Sequence, residues 1–380
     1  MTTAIAAPSI APRPSSHSDP ATAQPPRIDS LESARVQTLR GIACLLLVSF
    51  HAIGSSSASG LHAPDSSVYR HFTNLFVHIR MPLFTFLSGL VYAYRPLRAE
   101  QALEFSGKKL RRLGVPLIVA TTVLYTLHLV TDHRVPPTSQ VWTIYIYPYW
   151  HLWFVQALLL VFVAVITFEI LGALSTFRQF LYVFALSLVL YSGGLFEGHE
   201  AFGLNNATYL LPFFLAGLAA HRYRGVLQTR QALTLTLGCL IAAQGWHSYF
   251  VLSRTLAPID PVAHRSILNL LIGMSASLSA LQLLPRMRLM EHIGGSSYTI
   301  YLYHPVFVAA ALTGIGSRFP LPTSLLFVGA GAVGIVGPIL LEQAAARVPL
   351  GQLLLEGSTA GMAPRPNRVP SVPGEIKPAA

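Results

Sequence analysis

The chain has 380 residues, of which 52% are hydrophobic and only 11% charged, and its mean hydropathy is +0.53. An ordinary soluble chain carries about 25% charged residues, so too little charge is present to cover a water-facing surface; a cytosolic enzyme, a nucleic-acid binder and a disordered scaffold are excluded. The net charge of +11 then reads as the Lys/Arg excess that multi-pass membrane proteins keep in cytoplasmic loops, and the composition predicts an all-α bundle of transmembrane helices.

Residues 1–34 open the chain as a cytoplasmic tail, rich in Pro, Ala and Ser up to about residue 30. That composition predicts disorder, and no apolar run of signal-peptide type interrupts it. Residues 35–346 form the membrane domain. Residues 347–380 form a second tail, again Pro-rich and disordered from about 359. Within the domain ten apolar segments stand out, at 37–54, 76–94, 113–131, 151–171, 179–195, 207–221, 232–252, 266–284, 295–313 and 323–344. A bilayer core takes about 20 apolar residues per helix, and shorter spans pack inside a bundle or thin the bilayer. One of the pair 179–195 and 207–221 is short enough to be re-entrant. With the N-terminus inside, the inner segments hold 20 Lys/Arg and the outer loops five. That split predicts both termini in the cytoplasm and an even number of spans.

The two cysteines, Cys44 and Cys239, sit in apolar stretches. They read as small buried hydrophobes, with neither a disulfide framework nor a metal pattern. Trp142, Trp150 and Trp153 crowd with Tyr145, Tyr147 and Tyr149 into twelve residues before and at the fourth segment. Aromatic rings anchor helices at membrane interfaces; they also stack on sugar faces, so this run is either a belt or an outer carbohydrate site.

Few polar residues lie inside the spans, and these carry the chemistry. In the first segment Arg40 and His51 are eleven residues apart. Eleven residues are close to three helical turns, so the two share one face about 16 Å apart, with Arg40 at the inner interface and His51 near mid-membrane. Buried ionisable groups there usually mark a pathway or a reactive site. A neutral imidazole accepts protons, and the competing reading is a histidine that only hydrogen-bonds between helices. Arg40 is either a partner to that chemistry or a snorkelling side chain. The second segment holds Arg80, Pro82, Ser88 and Gly89, and the run Lys108, Lys109, Arg111, Arg112 follows it. Such runs set topology or bind anionic head groups, and they equally suit phosphates. His151 opens the fourth segment; Ser297, Tyr301 and His304 fall on one face of the ninth, with Pro305 next. There is no P-loop, dinucleotide fingerprint, metal spacing or Gly-x-Ser-x-Gly elbow.

Five of these stretches together resemble the membrane acyltransferase-3 family. Arg40-x10-His51 is similar to its first-helix Arg/Glu-x10-His. Residues 82–89, Pro-Leu-Phe-Thr-Phe-Leu-Ser-Gly, resemble its PLFFFLSG. Arg111-Arg112-Leu113-Gly114-Val115-Pro116 resembles its basic run. His151-Leu152-Trp153-Phe154 resembles the HLWF of the fucose 4-O-acetylase and exopolysaccharide acetyltransferase branch, and residues 297–304 resemble its SYxIYLxH.

The resemblance implies an O-acyltransferase that moves an acetyl or other acyl group from acetyl-CoA to a hydroxyl of a surface polysaccharide or its lipid-linked precursor. It implies no bound cofactor and no metal, and places the chain in a bacterial cytoplasmic membrane, in contact with lipids and not with nucleic acid. His51 would be the base, or form an acyl-His intermediate. Arg40 would hold the donor or stabilise developing charge. Arg111, Arg112, Arg80 and Ser88 would bind the donor, and His151, Trp153, Tyr301 and His304 the acceptor. Acylation of a small hydroxylated natural product is the nearest alternative. From another class, a glycolipid transporter would need intramembrane carboxylates, and Glu169 is the main candidate within a span.

Overall fold

The architecture comes from a computed structural model that describes residues 30–94, 102–131, 140–194, 196–253, 265–316 and 318–358. The expected disorder at residues 1–29 and from 359, and Arg134 and Arg254, expected in outer loops, lie outside the described residues.

Every described element is helical. In chain order they are α1 (Ser30–Ile53), α2 (Val68–Leu75), α3 (Arg80–Ala93), α4 (Ala102–Thr131), α5 (Thr143–Ile146), α6 (Trp153–Ile170), α7 (Phe177–Ser192) and α8 (Leu204–Arg222). There follow α9 (Arg224–Leu227), α10 (Arg230–Ser253), α11 (Ile267–Leu283), α12 (Arg288–Gly295), α13 (Ser297–Gly316), α14 (Thr323–Ala345) and α15 (Pro349–Glu356). Each of the ten expected apolar segments overlaps one helix of 14 residues or more, the shortest being α3 in the second segment. Seven described stretches are long and apolar enough to cross a membrane: Glu32–Ile53, Val68–Ala93, Glu104–Thr131, Trp150–Ile170, Arg230–Ser253, Ser297–Gly316 and Thr323–Ala345. Of the remaining three, α7 and α11 are shorter apolar helices of 16 and 17 residues, and α8 has 19.

Some boundaries depart from the expected ones. Helix α1 begins at Ser30, inside the expected tail. Helix α4 begins eleven residues before its apolar stretch, so the basic run is helical. Lys and Arg are good helix formers, and the Glu104–Lys108 pair sits at the favourable i, i+4 spacing. Helices α2, α12 and α15 are short and half-buried. Helices α12 and α15 bury Met290, Ile293 and Leu355, apolar faces too short to register as segments, whereas α2 buries Arg70 and Thr73.

Helix α8 is the axis of the bundle: every residue from Ala207 to Ala220 is buried. A helix apolar all round belongs in a core. It crosses α3 at glycines. A side chain at Gly89 would strike the Phe214 backbone, and one at Gly217 would strike the Phe86 carbonyl. Backbone-to-backbone approach of this kind is what small residues provide where lipid offers no hydrophobic drive for helix pairing. Helices α10 and α14 lie at the other extreme, mostly uncovered, with Leu235, Ile241, Leu325 and Val328 facing outward.

Helices α1 and α13 run parallel. Cys44 Sγ lies 4.0 Å from the Ser297 carbonyl oxygen, and seven residues later on both helices the rings of His51 and His304 are 4.7 Å apart. An alternating path requires this parallel direction if α13 is the ninth crossing and α1 the first.

Candidate active site

Helix α1 ends at Ile53, so His51 lies in its last turn. Its depth is set by its neighbour: α13 continues twelve residues beyond His304, about 18 Å. The chain leaving α1 turns at Gly54, whose φ of +92° is one that L side chains rarely adopt. The buried Arg70, at the start of α2, donates to the carbonyls of Gly54 and Ala63 and pairs with Asp65 at 3.5 Å. The last carbonyls of a helix lack intrahelical partners, and a cation near them is favourable. Arg70 therefore fixes where α1 stops and where His51 is held.

Three histidines from three helical elements meet at this point. The His51 ring is 4.7 Å from His304 and 5.7 Å from His151, and His151 is 5.4 Å from His304. His304 Nδ1 donates to the carbonyls of Ile300 at 2.7 Å and Tyr301 at 3.0 Å. The second acceptor exists because of Pro305, which has no N–H to give to the carbonyl four residues back. A carbonyl can only accept, so Nδ1 carries the proton and the buried Nε2, which has no partner, keeps its lone pair. His151 is pinned the other way round. Its Nε2 donates to the Leu302 carbonyl at 3.1 Å, and its buried Nδ1 is left as the acceptor. The Tyr301 hydroxyl donates to the His151 carbonyl, tying α13 to the start of α6. His51 itself makes no hydrogen bond to protein among the described residues.

His51 and His151, with His304 packed against both, sit at the floor of a cavity of about 640 Å³, ample for a sugar-sized ligand. Leu47, Phe50, His51, Arg80, His151 and Tyr301 line its depth; Trp150, Trp153, Glu197, Glu200, Asn205 and Arg265 line its rim, along with further residues. Trp150 has a φ of +49°. A non-glycine residue held there costs on the order of 1–3 kcal/mol, and the turn leaves the Trp150 ring exposed while His151 is buried. Arg265 is tied to Asn205, Thr208 and the carbonyls of Leu190 and Tyr191. Burial lowers the pKa of its guanidinium, and Tyr191 and Glu197 oppose that shift.

The expected site residues therefore divide. The structure puts His51, His151, Tyr301 and Trp153 in the lining of one cavity, with the fully buried His304 packed against His51 and His151. It also puts Arg80 there, away from the basic run with which it was expected to bind a donor. Arg40 lies near the middle of α1, three turns before His51 and under the field of Arg112. Arg111 Nε reaches the Gly357 carbonyl at 3.4 Å, where the end of α15 lies on α4, and the Tyr298 hydroxyl donates to Leu113 at 3.0 Å. Ser88 is in neither place: its hydroxyl donates to the Phe84 carbonyl of its own helix at 2.9 Å. Glu169 is ion-paired to Arg222 at the ends of α6 and α8. Between α1 and α3, His62 and His71 bond to the nearby backbone carbonyls of Ser57 and Ser67.

Sequence reasoning placed the histidines singly and missed their convergence, because it follows from the α1–α13 register and the turn at Trp150. It also missed Arg70, Tyr209, Asn205 and Arg265. The one visible signal for the last group was the polar pair Asn205–Asn206 opening an apolar helix. Among the described residues no group of three His, Cys, Asp or Glu is placed to hold a metal ion.

A family model described as an acyltransferase domain matches residues 34–343. No curated protein and no solved structure matches the chain.

Proposed function

The chain belongs to the acyltransferase-3 family, and from that premise we propose that it is an integral-membrane O-acyltransferase. It transfers an acetyl group from cytoplasmic acetyl-CoA to a hydroxyl of a surface polysaccharide or its lipid-linked precursor. The observation that carries this reading is His51 on the floor of a sugar-sized cavity, beside two histidines whose backbone bonds leave each with a free lone pair.

In this reading His51 is the general base. The free lone pairs of His304 Nε2 and His151 Nδ1 lie on the rings packed around it, and a neutral His51 keeps one ring nitrogen as a lone pair for the acceptor. His51 takes the acceptor's proton as its oxygen attacks the thioester carbon. Trp150 and Trp153 supply faces for a sugar ring. Arg40, Arg111 and Arg112 meet the anionic end of the donor, since guanidinium groups pair well with phosphate. The distance from Arg40 to His51, about 16 Å along α1, is left for the donor's flexible arm. Ten crossings with both termini inside put the cavity on the outer side and the basic cluster on the inner side. The basic excess and the parallel run of α1 and α13 support that path. The home of such a protein is a bacterial cytoplasmic membrane.

The test is expression of wild type and His51→Ala in a host lacking the activity, with acetyl groups on the exported polysaccharide read by NMR. Acetylation by wild type alone is expected. Undiminished acetylation by a well-expressed His51→Ala variant overturns the base, and a change in glycolipid sidedness without acetylation makes the chain a transporter.

A further inference from the structure

Arg80 is one of two cations lining the cavity, neither of which the reading above uses. It is 7% exposed, at the start of α3, and its guanidinium carbon lies 3.9 Å from the centroid of the Phe50 ring, next to His51 in the chain. No carboxylate lies within 4.0 Å of it, and it donates no hydrogen bond to protein among the described residues. By contrast, Arg70, Arg222 and Arg265 each bind carbonyls or a carboxylate. A buried charge is costly unless something completes it. Among the described residues only the Phe50 ring meets it, and the guanidinium borders the open cavity.

We propose that Arg80 is a catalytic residue of the acyl transfer, holding the oxygen that becomes negative when the acceptor adds to the acyl carbon. The proposal rests on the acyl-transfer reading. As the acceptor oxygen bonds to the thioester carbon, its proton passes to His51. The carbonyl electron pair moves onto oxygen, and Arg80 donates to that oxyanion. Collapse of the intermediate re-forms the carbonyl and breaks the carbon–sulfur bond. The departing thiolate takes the proton from His51 and leaves as the thiol.

Three features suit Arg80 to this work. The Phe50 face holds the guanidinium by a cation–π contact that does not use its N–H groups. Its helix is locked to α8 through Gly89 and Gly217, so the donors are fixed before reaction and need no reorganisation, which is where electrostatic stabilisation is strongest. Arg265, the other cation lining the cavity, already spends its donors on Asn205 and Thr208. Arg111 and Arg112, the groups suited to phosphate, lie at the opposite end of the bundle.

The experiment measures thiol release from acetyl-CoA by wild type, Arg80→Gln and Arg80→Lys in membrane vesicles that contain the native glycolipid, with donor and vesicle amounts varied separately. For Arg80→Gln, kcat is expected to fall by about 10²–10³, as when one oxyanion donor is removed, with KM for acetyl-CoA within about twofold. Arg80→Lys, which keeps the charge, is expected to recover part of kcat and is the deciding variant if Arg80→Gln does not accumulate. A raised acetyl-CoA KM at full kcat makes Arg80 a donor-binding residue and overturns the proposal. Rescue of Arg80→Gln by excess glycolipid makes it an acceptor anchor and also overturns it, as do wild-type rates in both variants. A wild type that releases no thiol overturns the acyl-transfer reading and the proposal together.

Discussion

The two ends of the bundle hold their polar residues in opposite ways. At the cavity end, His151 and His304 are buried and bonded to backbone carbonyls, Tyr301 is tied to α6, and Arg70 caps the helix that carries His51. At the basic end, Arg111 and Arg112 are exposed, and a long 3.4 Å bond to Gly357 is the one contact described for Arg111. The difference teaches where precision is needed. Proton transfer depends on sub-ångström placement and one tautomer. A flexible polyanion needs only a field and donors to settle against.

This contrast can be broken by substitution. The largest effect is expected at His51: His51→Ala should lower kcat by about 10²–10⁴, the usual share of a general base, with the donor KM unchanged in steady-state assays. Next is Arg70→Met. It leaves the Gly54 and Ala63 carbonyls without charge-assisted bonds worth roughly 1.5–3 kcal/mol each. A lower melting temperature together with a lower kcat is expected, and full activity at reduced stability would separate the cap from the site. Arg112→Gln should do the reverse of His51→Ala, raising the acetyl-CoA KM roughly tenfold, for about 1.4 kcal/mol of lost donor contact, at unchanged kcat. A fall in kcat with unchanged KM would erase the distinction between the ends. Smallest is Ser88→Ala, expected within about 0.5 kcal/mol of wild type by thermal unfolding and equal to it in activity, since that hydroxyl bonds only within its own helix.

Much of the fold was legible because lipid forces it. Apolar runs near span length can be little else, and each became a helix. What stayed hidden depended on contacts distant in sequence. Arg40 and His51 could be assigned to one helical face from their spacing alone. Arg80 stands in the same short stretch as Ser88, yet the two ends of α3 serve different surroundings, and only packing against Phe50 reveals that. The tautomer of His304 was half visible, in that Pro305 must free a carbonyl; which group would claim it was not.

The separation of Arg40 from His51 also makes the reaction electroneutral across the membrane. If acetyl-CoA is held at the basic end and the hydroxyl enters from the other, the donor's arm carries the acyl group out as an uncharged thioester. It returns as an uncharged thiol, its sulfur having exchanged the acyl group for the hydroxyl proton that passed through His51. The phosphates stay at the basic end, so no net charge crosses the bilayer, and a potential worth about 2.3 kcal/mol per charge per 100 mV has nothing to act on. Vesicles carrying an imposed potential, negative inside, should transfer at the same rate as the same vesicles after an ionophore has collapsed it.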